Sequence, residues 1–413
     1  MSLRRILLLA LVIATPLAII GVHRTSANGL ALTPMEQLGK SLFFDTNLST
    51  PPGVSCASCH GPAVGFTGPI SKINATTVVY PGAVHTRFGN RKPPSAAYAG
   101  TSPVFYYDSD EGVWVGGMFW DGRATGATLG DPLAEQAQGP FLNPLEQNDP
   151  HAKQVCVAVM HSAYATLFRQ VWGPASLDCV KDVSGTYERI ARSISAYEKS
   201  SEVNPFSSKF DYYLEGQVEL TEQEAQGYEL FTGERAKCSG CHIADRDPSG
   251  GHPLFTDFTY DNLGVPKNPA NPFYSMPRKW NPLGPAWIDL GLGGFLSQSY
   301  PPEVYESELG KVKVPTLRNV DLRPWPGFVK AYAHNGYFKS LKEIVHFYNT
   351  RDVLDACVNL ANPNPGVNCW PAPEFAATVN HDELGDLGLT PEEEDAIVAF
   401  MKSLSDGYVP PSD

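Results

Sequence analysis

Beyond Ile20 the chain has no apolar run long enough to cross a membrane. It has no basic excess either. Its 31 Lys and Arg face 44 Asp and Glu, and the formal net charge of −13 disfavours nucleic acid and anionic membrane surfaces as partners. A basic or neutral protein partner remains compatible with that charge. Strand signals are weak throughout, so a sheet-based core is not expected. Cysteine is sparse, with eight in 413 residues.

The single long apolar run, Ile6 to Ile20, follows Arg4-Arg5 and precedes Thr25-Ser26-Ala27. This order reads as a secretory signal peptide over residues 1–27, cleaved after Ala27, with an uncleaved anchor as the alternative. Arg4, Arg5 and Arg24 lie in that segment with no acid, so its removal leaves a more negative chain.

What the chain does have is one stretch written twice. Leu32-Thr33-x-x-Glu36-x-x-Gly39-x-x-Leu42-Phe43 matches Leu220-Thr221-x-x-Glu224-x-x-Gly227-x-x-Leu230-Phe231, and each copy leads into a Cys-x-x-Cys-His motif. The motifs are Cys56-Ala-Ser-Cys59-His60 and Cys238-Ser-Gly-Cys241-His242. That signature attaches c-type haem: two thiols add to the vinyl groups and the adjacent His ligates the iron. Zinc is the competing reading, but it wants four ligands per site and neither copy has a second Cys/His pair nearby. In both copies Thr followed three residues later by Glu is a capping box that starts a helix.

Four cysteines then remain, Cys156 with Cys179 and Cys357 with Cys369. Each pair is close in sequence, as local disulfides in an oxidising compartment would be; free buried thiols are the alternative.

Residues 61–149 and 245–315 are rich in Gly and Pro and read as long loops around the haems. Helices are expected over 152–172 and over 186–203, where Ile190, Ile194 and Tyr197 form one stripe and Asn204-Pro205 ends the pattern. The segment to about Gly216 is a candidate domain junction. Ser340 with Glu343, and Thr390 with Glu393, are further capping boxes, opening helices to about Thr350 and Leu404. The fold class is mainly α: two cytochrome c-like haem domains, 28–210 and 211–413, with long irregular loops.

On the helix after Ser340, Leu341, Ile344, Val345 and Tyr348 share a face, which turns Tyr348 inward. From periodicity alone Tyr348 is a core tyrosine, and His346 points away towards solvent.

Further motifs follow in order: Phe119-Trp-Asp-Gly-Arg123, Gln136-x-x-x-Pro140, Asn143-Pro-x-Glu146, Pro315-Thr-Leu-Arg-Asn319 and His334-Asn-Gly336. With the two haem motifs, this combination resembles the bacterial diheme cytochrome c peroxidase/MauG family over nearly all of the chain after residue 27. The resemblance implies proximal ligands His60 and His242. It also implies a sixth ligand for the second haem fourteen residues after His334, which is Tyr348. That ligand is Met in ordinary peroxidases and Tyr in MauG-like members, and phenolate favours oxidised iron. Met276 and Met401 fall off that position and read as loop and core residues. Glu146 and Gln136 match the distal acid and amide of the first haem, and Trp120 matches the tryptophan between the haems.

His85 stands near the offset of a histidine that caps the first haem in resting peroxidases, with a surface loop position as the alternative. The family's calcium site between the haems is altered. Lys92 replaces the usual Asn, and Val329-Lys330-Ala331 replaces Thr-x-Pro, which puts a calcium ion in doubt.

Three functions follow from the resemblance. In the first, a periplasmic diheme enzyme uses hydrogen peroxide at the His60 haem. It shares the oxidising equivalents through Trp120 in a high-valent diheme state and oxidises an aromatic residue, foremost Trp, of a partner protein. The second is a cytochrome c peroxidase that reduces hydrogen peroxide to water with electrons from a small cytochrome c or cupredoxin. The third, a non-catalytic electron carrier, has no use for Glu146 and Gln136 beside an open iron.

Overall fold

The computed structural model describes residues 31–247 and 249–411, so the signal peptide expected over 1–27 lies outside the described residues. All four capping boxes form. Thr33, Thr221, Ser340 and Thr390 each accept from the main-chain N–H of a Glu three residues on, and that Glu bonds back to the cap N–H. The longer helices are α1 (Pro34–Phe44), α2 (Pro132–Leu142), α3 (Ala152–Met160), α4 (Ala165–Trp172), α5 (Val183–Glu198), α6 (Glu222–Thr232), α7 (Leu341–Thr350) and α8 (Pro391–Lys402). Among the described residues, strand content is three two-stranded ribbons, Tyr106–Asp108 with Val113–Val115, Tyr260–Asp261 with Val312–Lys313, and Asp355–Ala356 with Cys369–Trp370. Among the described residues no helix is long and apolar enough to cross a membrane.

The sequence repeat is a packing repeat. α1 lies against α5, and α6 lies against α8. Gly39 faces the Ser193 carbonyl and the Tyr197 Cβ, while Gly227 faces the Ala396 carbonyl and the Phe400 Cβ, an i, i+4 pair in each case. Any β-carbon at either glycine would overlap that carbonyl, so the helices meet backbone to backbone. Four residues later in each copy the aromatic ring seals the crossing: Phe43 meets Tyr197 at 5.5 Å and Phe231 meets Phe400 at 5.1 Å, both edge to face.

Two apolar cores result. One gathers buried residues between Leu38 and Val203, the other between Phe210 and Leu404. Buried Arg318 joins the halves: its Nη1 donates to Asp211 at 2.7 Å, and its guanidinium lies over the rings of Tyr98, Phe206 and Phe255.

Three expected helices have other limits. The 152–172 segment breaks after Met160, where the Ser162 hydroxyl bonds the Val159 carbonyl and the turn brings the Tyr164 hydroxyl within 2.6 Å of Asp45. α5 begins at Val183, because Asp182 caps it through the Gly185 N–H, and it ends at Glu198, whose carbonyl accepts from the Asn204 amide. The last helix stops at Lys402 rather than Leu404. Both disulfides form as expected, Cys156 to Cys179 and Cys357 to Cys369.

Candidate haem sites

Each Cys-x-x-Cys-His motif folds as a short 3-10 turn at the mouth of a cavity, with both thiols free. His60 Nδ1 stands 3.1 Å from the Phe66 carbonyl and His242 Nδ1 stands 2.9 Å from the Phe255 carbonyl. With Nδ1–H donating to that carbonyl, Nε2 is left as the ligating atom. Burial lowers both imidazoles from their ordinary pKa, which keeps them in the neutral, metal-binding form. The two accepting phenylalanines share an unusual backbone, with φ of 55° at Phe66 and 54° at Phe255. The dipeptides Phe66-Thr67 and Phe255-Thr256 are a repeat that sequence reasoning passed over.

Burial pushes the Cys59, Cys238 and Cys241 thiols up to about 12. Among the described residues no group of three or more His, Cys, Asp and Glu is placed to hold a metal ion, which removes the zinc reading. The apolar cavities, with a motif at each, fit haem.

The first cavity is lined by His60, Trp120, Gln136 and Glu146. α2 carries Gln136, and the turn after it carries Glu146, whose Oε1 accepts from the Asn143 amide at 3.0 Å. Burial raises the Glu146 carboxyl above the usual range, and the Arg123 guanidinium and Asn143 offset part of that rise. Arg123 stacks on Phe119 and pairs with Asp121 at 2.8 Å. Glu198, at the end of α5, also lines this cavity. Burial pushes it up to about 8, and its Oε2 has no partner among the described residues. No motif marked it. His85 is exposed on a turn and does not line the cavity.

The second cavity, of ≈ 250 Å³, is lined by His242 and by the whole expected face of α7: Leu341, Ile344, Val345 and Tyr348. Tyr348 is half-buried, and burial together with the neighbouring thiols and Asp261 raises its phenol well above the ordinary value. Met401, on α8, lines the same cavity; Met276 is buried elsewhere. His346 is not simply solvated as expected. Its Nδ1 lies 2.8 Å from Glu394 on α8, because α7 packs on α8 along that side.

The two cavities share part of one wall. Met118, Phe119, Trp120, Lys92, Pro94 and Ser95 line both. Trp120 Nε1 donates to the Lys92 carbonyl at 2.8 Å, and Arg91 clamps the wall by bonding Asp121 at 2.6 Å and Asp289 at 2.7 Å.

Comparisons with known proteins agree with this construction. The sequence pattern described as "Di-haem cytochrome c peroxidase" matches residues 33–219. The methylamine utilization protein MauG of Paracoccus denitrificans (strain Pd 1222) is 34% identical over 376 residues, covering 90% of this chain and 88% of that protein. The cytochrome c551 peroxidase of Nitrosomonas europaea is 30% identical over 320 residues, covering 76% of this chain and 74% of its own. The crystal structure of the diheme peroxidase BthA from Burkholderia thailandensis E264 superposes with a TM-score of 0.72 at 29% identity, over 90% of this chain and 86% of that one. With two repeated haem-binding turns, two cavities meeting at one wall and these relatives, the chain belongs to the di-haem cytochrome c peroxidase/MauG family, oxidoreductases that carry two c-type haems and use hydrogen peroxide.

Proposed function

We propose that this chain is an exported, MauG-like enzyme that oxidises an aromatic side chain, foremost Trp, of a partner protein. Bound haem would supply the iron that reacts with peroxide and would store the two oxidising equivalents that peroxide provides. The first unit, 28–210, is the peroxidatic one. There Glu146 takes a proton from peroxide and returns it to the leaving oxygen, with Asn143 holding the carboxylate and Gln136 offering its amide. His85, exposed on its turn and absent from the cavity lining, would not be among the residues that hold this haem. Trp120 relays electrons between the units. In the second unit, 211–413, His242 and Tyr348 would together hold the haem iron, the phenolate favouring its oxidised form.

The observation that carries this reading is Tyr348 on the wall of the His242 cavity. A phenol in an apolar cavity ionises readily only beside a strong positive charge, which ferric iron would provide. Both disulfides suit an oxidising compartment, which supports periplasmic export by residues 1–27.

Met401, in the same cavity, supports a second reading: a thioether-ligated haem that receives electrons from a small cytochrome c or cupredoxin, in a peroxidase that makes water. The two part in one experiment. The ferric holoprotein is given one equivalent of hydrogen peroxide with no electron donor, and EPR and near-infrared absorption are recorded. Loss of ferric signal with a new near-infrared band, absent in Tyr348→Phe, supports the first reading. Two low-spin signals at rest, with peroxide reactivity only after one-electron reduction, support the second.

A further inference from the structure

Lys330 is 4% exposed and lies where the loop after the first haem motif meets the second half of the chain. Its Nζ donates to three main-chain carbonyls, those of Asn319 at 2.8 Å, Val64 at 2.9 Å and Leu322 at 3.2 Å. Val64 follows His60 by one short turn, whereas Asn319 and Leu322 follow Arg318 in the second half. Three carbonyl oxygens converging on one point are the usual surroundings of a hard cation. Here the occupant is the chain's own side chain. Three donated bonds need all three N–H groups, which only the charged ammonium has.

A second, half-buried amine stands close by. Lys92 Nζ donates to the Pro93 carbonyl at 3.2 Å and to Thr67 Oγ1 at 3.4 Å, and it lies 5.7 Å from the centre of the Trp120 ring. No carboxylate accepts a hydrogen bond from either lysine among the described residues. Burial pushes Lys92 to about 8, and burial with the nearby Lys92 pushes Lys330 to about 7, while the three carbonyls favour the charged form of Lys330.

A calcium ion between the haems, which the family resemblance implies, does not fit these residues. It would meet two amine-bearing side chains in a water-poor wall, one of them already filling a carbonyl cage, with no bonded carboxylate to offset the repulsion. We propose that the Lys330 ammonium takes the place of a divalent metal as the cation tying the two haem-bearing halves together, so that the junction is independent of calcium. Gly65 strengthens the same seam. At φ 73° it lies flat against Asn319, where a β-carbon would come within 2.6 Å of the Asn319 Cβ.

The test uses the desalted holoprotein. Its calcium content is measured by elemental analysis, and its thermal unfolding and ferric EPR spectrum are recorded with EGTA and with added calcium. The expected result is far less than one calcium per chain and an unfolding temperature and spectrum unchanged by either addition. Lys330→Met, which keeps the stem and removes the charge, should unfold roughly 5 °C lower, since three buried carbonyls lose their donor. Stoichiometric calcium, an EGTA-sensitive unfolding temperature or spectrum, or an unchanged unfolding temperature in Lys330→Met overturns the proposal. Should that variant fail to fold, the calcium content and chelator response of the unmodified protein decide alone.

Discussion

The Trp120 indole donates its Nε1–H to the main-chain carbonyl of Lys92 at 2.8 Å, and both residues belong to the wall shared by the two cavities. The bond fixes the ring in that wall. An amide carbonyl accepts a hydrogen bond but is too weak a base to take the proton, so the ring can give up an electron while keeping its N–H. Trp120→Phe should retain both haems and slow electron exchange between them at least about tenfold, a barrier rise of about 1.4 kcal/mol. Freeze-quench EPR after peroxide addition measures it. An unchanged rate places the relay elsewhere.

Glu146 separates activity from stability. As a base it works ionised, so peroxide reactivity should fall as pH drops through its raised pKa, at a pH above the ordinary glutamate range. Glu146→Gln should lose that limb and about 10²- to 10⁴-fold in rate. The linkage has the opposite sign. A carboxyl whose pKa rises on folding weakens the fold above its unfolded pKa, so the Gln variant should unfold at a higher temperature at neutral pH and lose that advantage in acid. Rate and unfolding profiles against pH check both halves.

Tyr348 should set the potential of the second haem. Tyr348→Met should raise its midpoint markedly, within the roughly 0.8 V that axial ligands command, and turn the protein towards accepting electrons from a small donor. Spectroelectrochemical titration reads the shift. A midpoint that does not move would mean that Tyr348 is a wall residue and no ligand.

The two repeated glycines should be irreplaceable for a packing reason. Gly39→Ala and Gly227→Ala each drive a methyl into a helix carbonyl, and each should cost about 3 kcal/mol or more. Gly240→Ser, where a β-carbon meets nothing within 4 Å and where the first motif already has Ser58, should change stability by no more than about 0.5 kcal/mol. Denaturant unfolding of the three variants gives the comparison.

Removing the Cys156–Cys179 bridge should destabilise the first core. The bridge spans 23 residues and both sulfurs are buried, so Cys156→Ser with Cys179→Ser should cost about 3 kcal/mol from loop entropy alone. Thermal unfolding of the double variant beside the unmodified protein reads the loss.

Local chemistry was legible in the sequence. A capping box uses four consecutive residues, a haem-attachment motif uses five, and the α7 face repeats at helical spacing; all are short-range, and the capping boxes and the α7 face formed where the sequence placed them. The paired glycines were visible as a repeat, but their partners were not, because Ser193 and Ala396 lie more than 150 residues away in sequence. Only the tertiary structure turned the Phe66 and Phe255 carbonyls onto the histidines, broke the 152–172 helix at Ser162, buried Glu198 in the first cavity and closed three carbonyls around Lys330. For the contacts between distant segments the physical reason is shared. Main-chain carbonyls carry no sequence identity, and whether a charged side chain is buried beside one depends on which distant segments pack together.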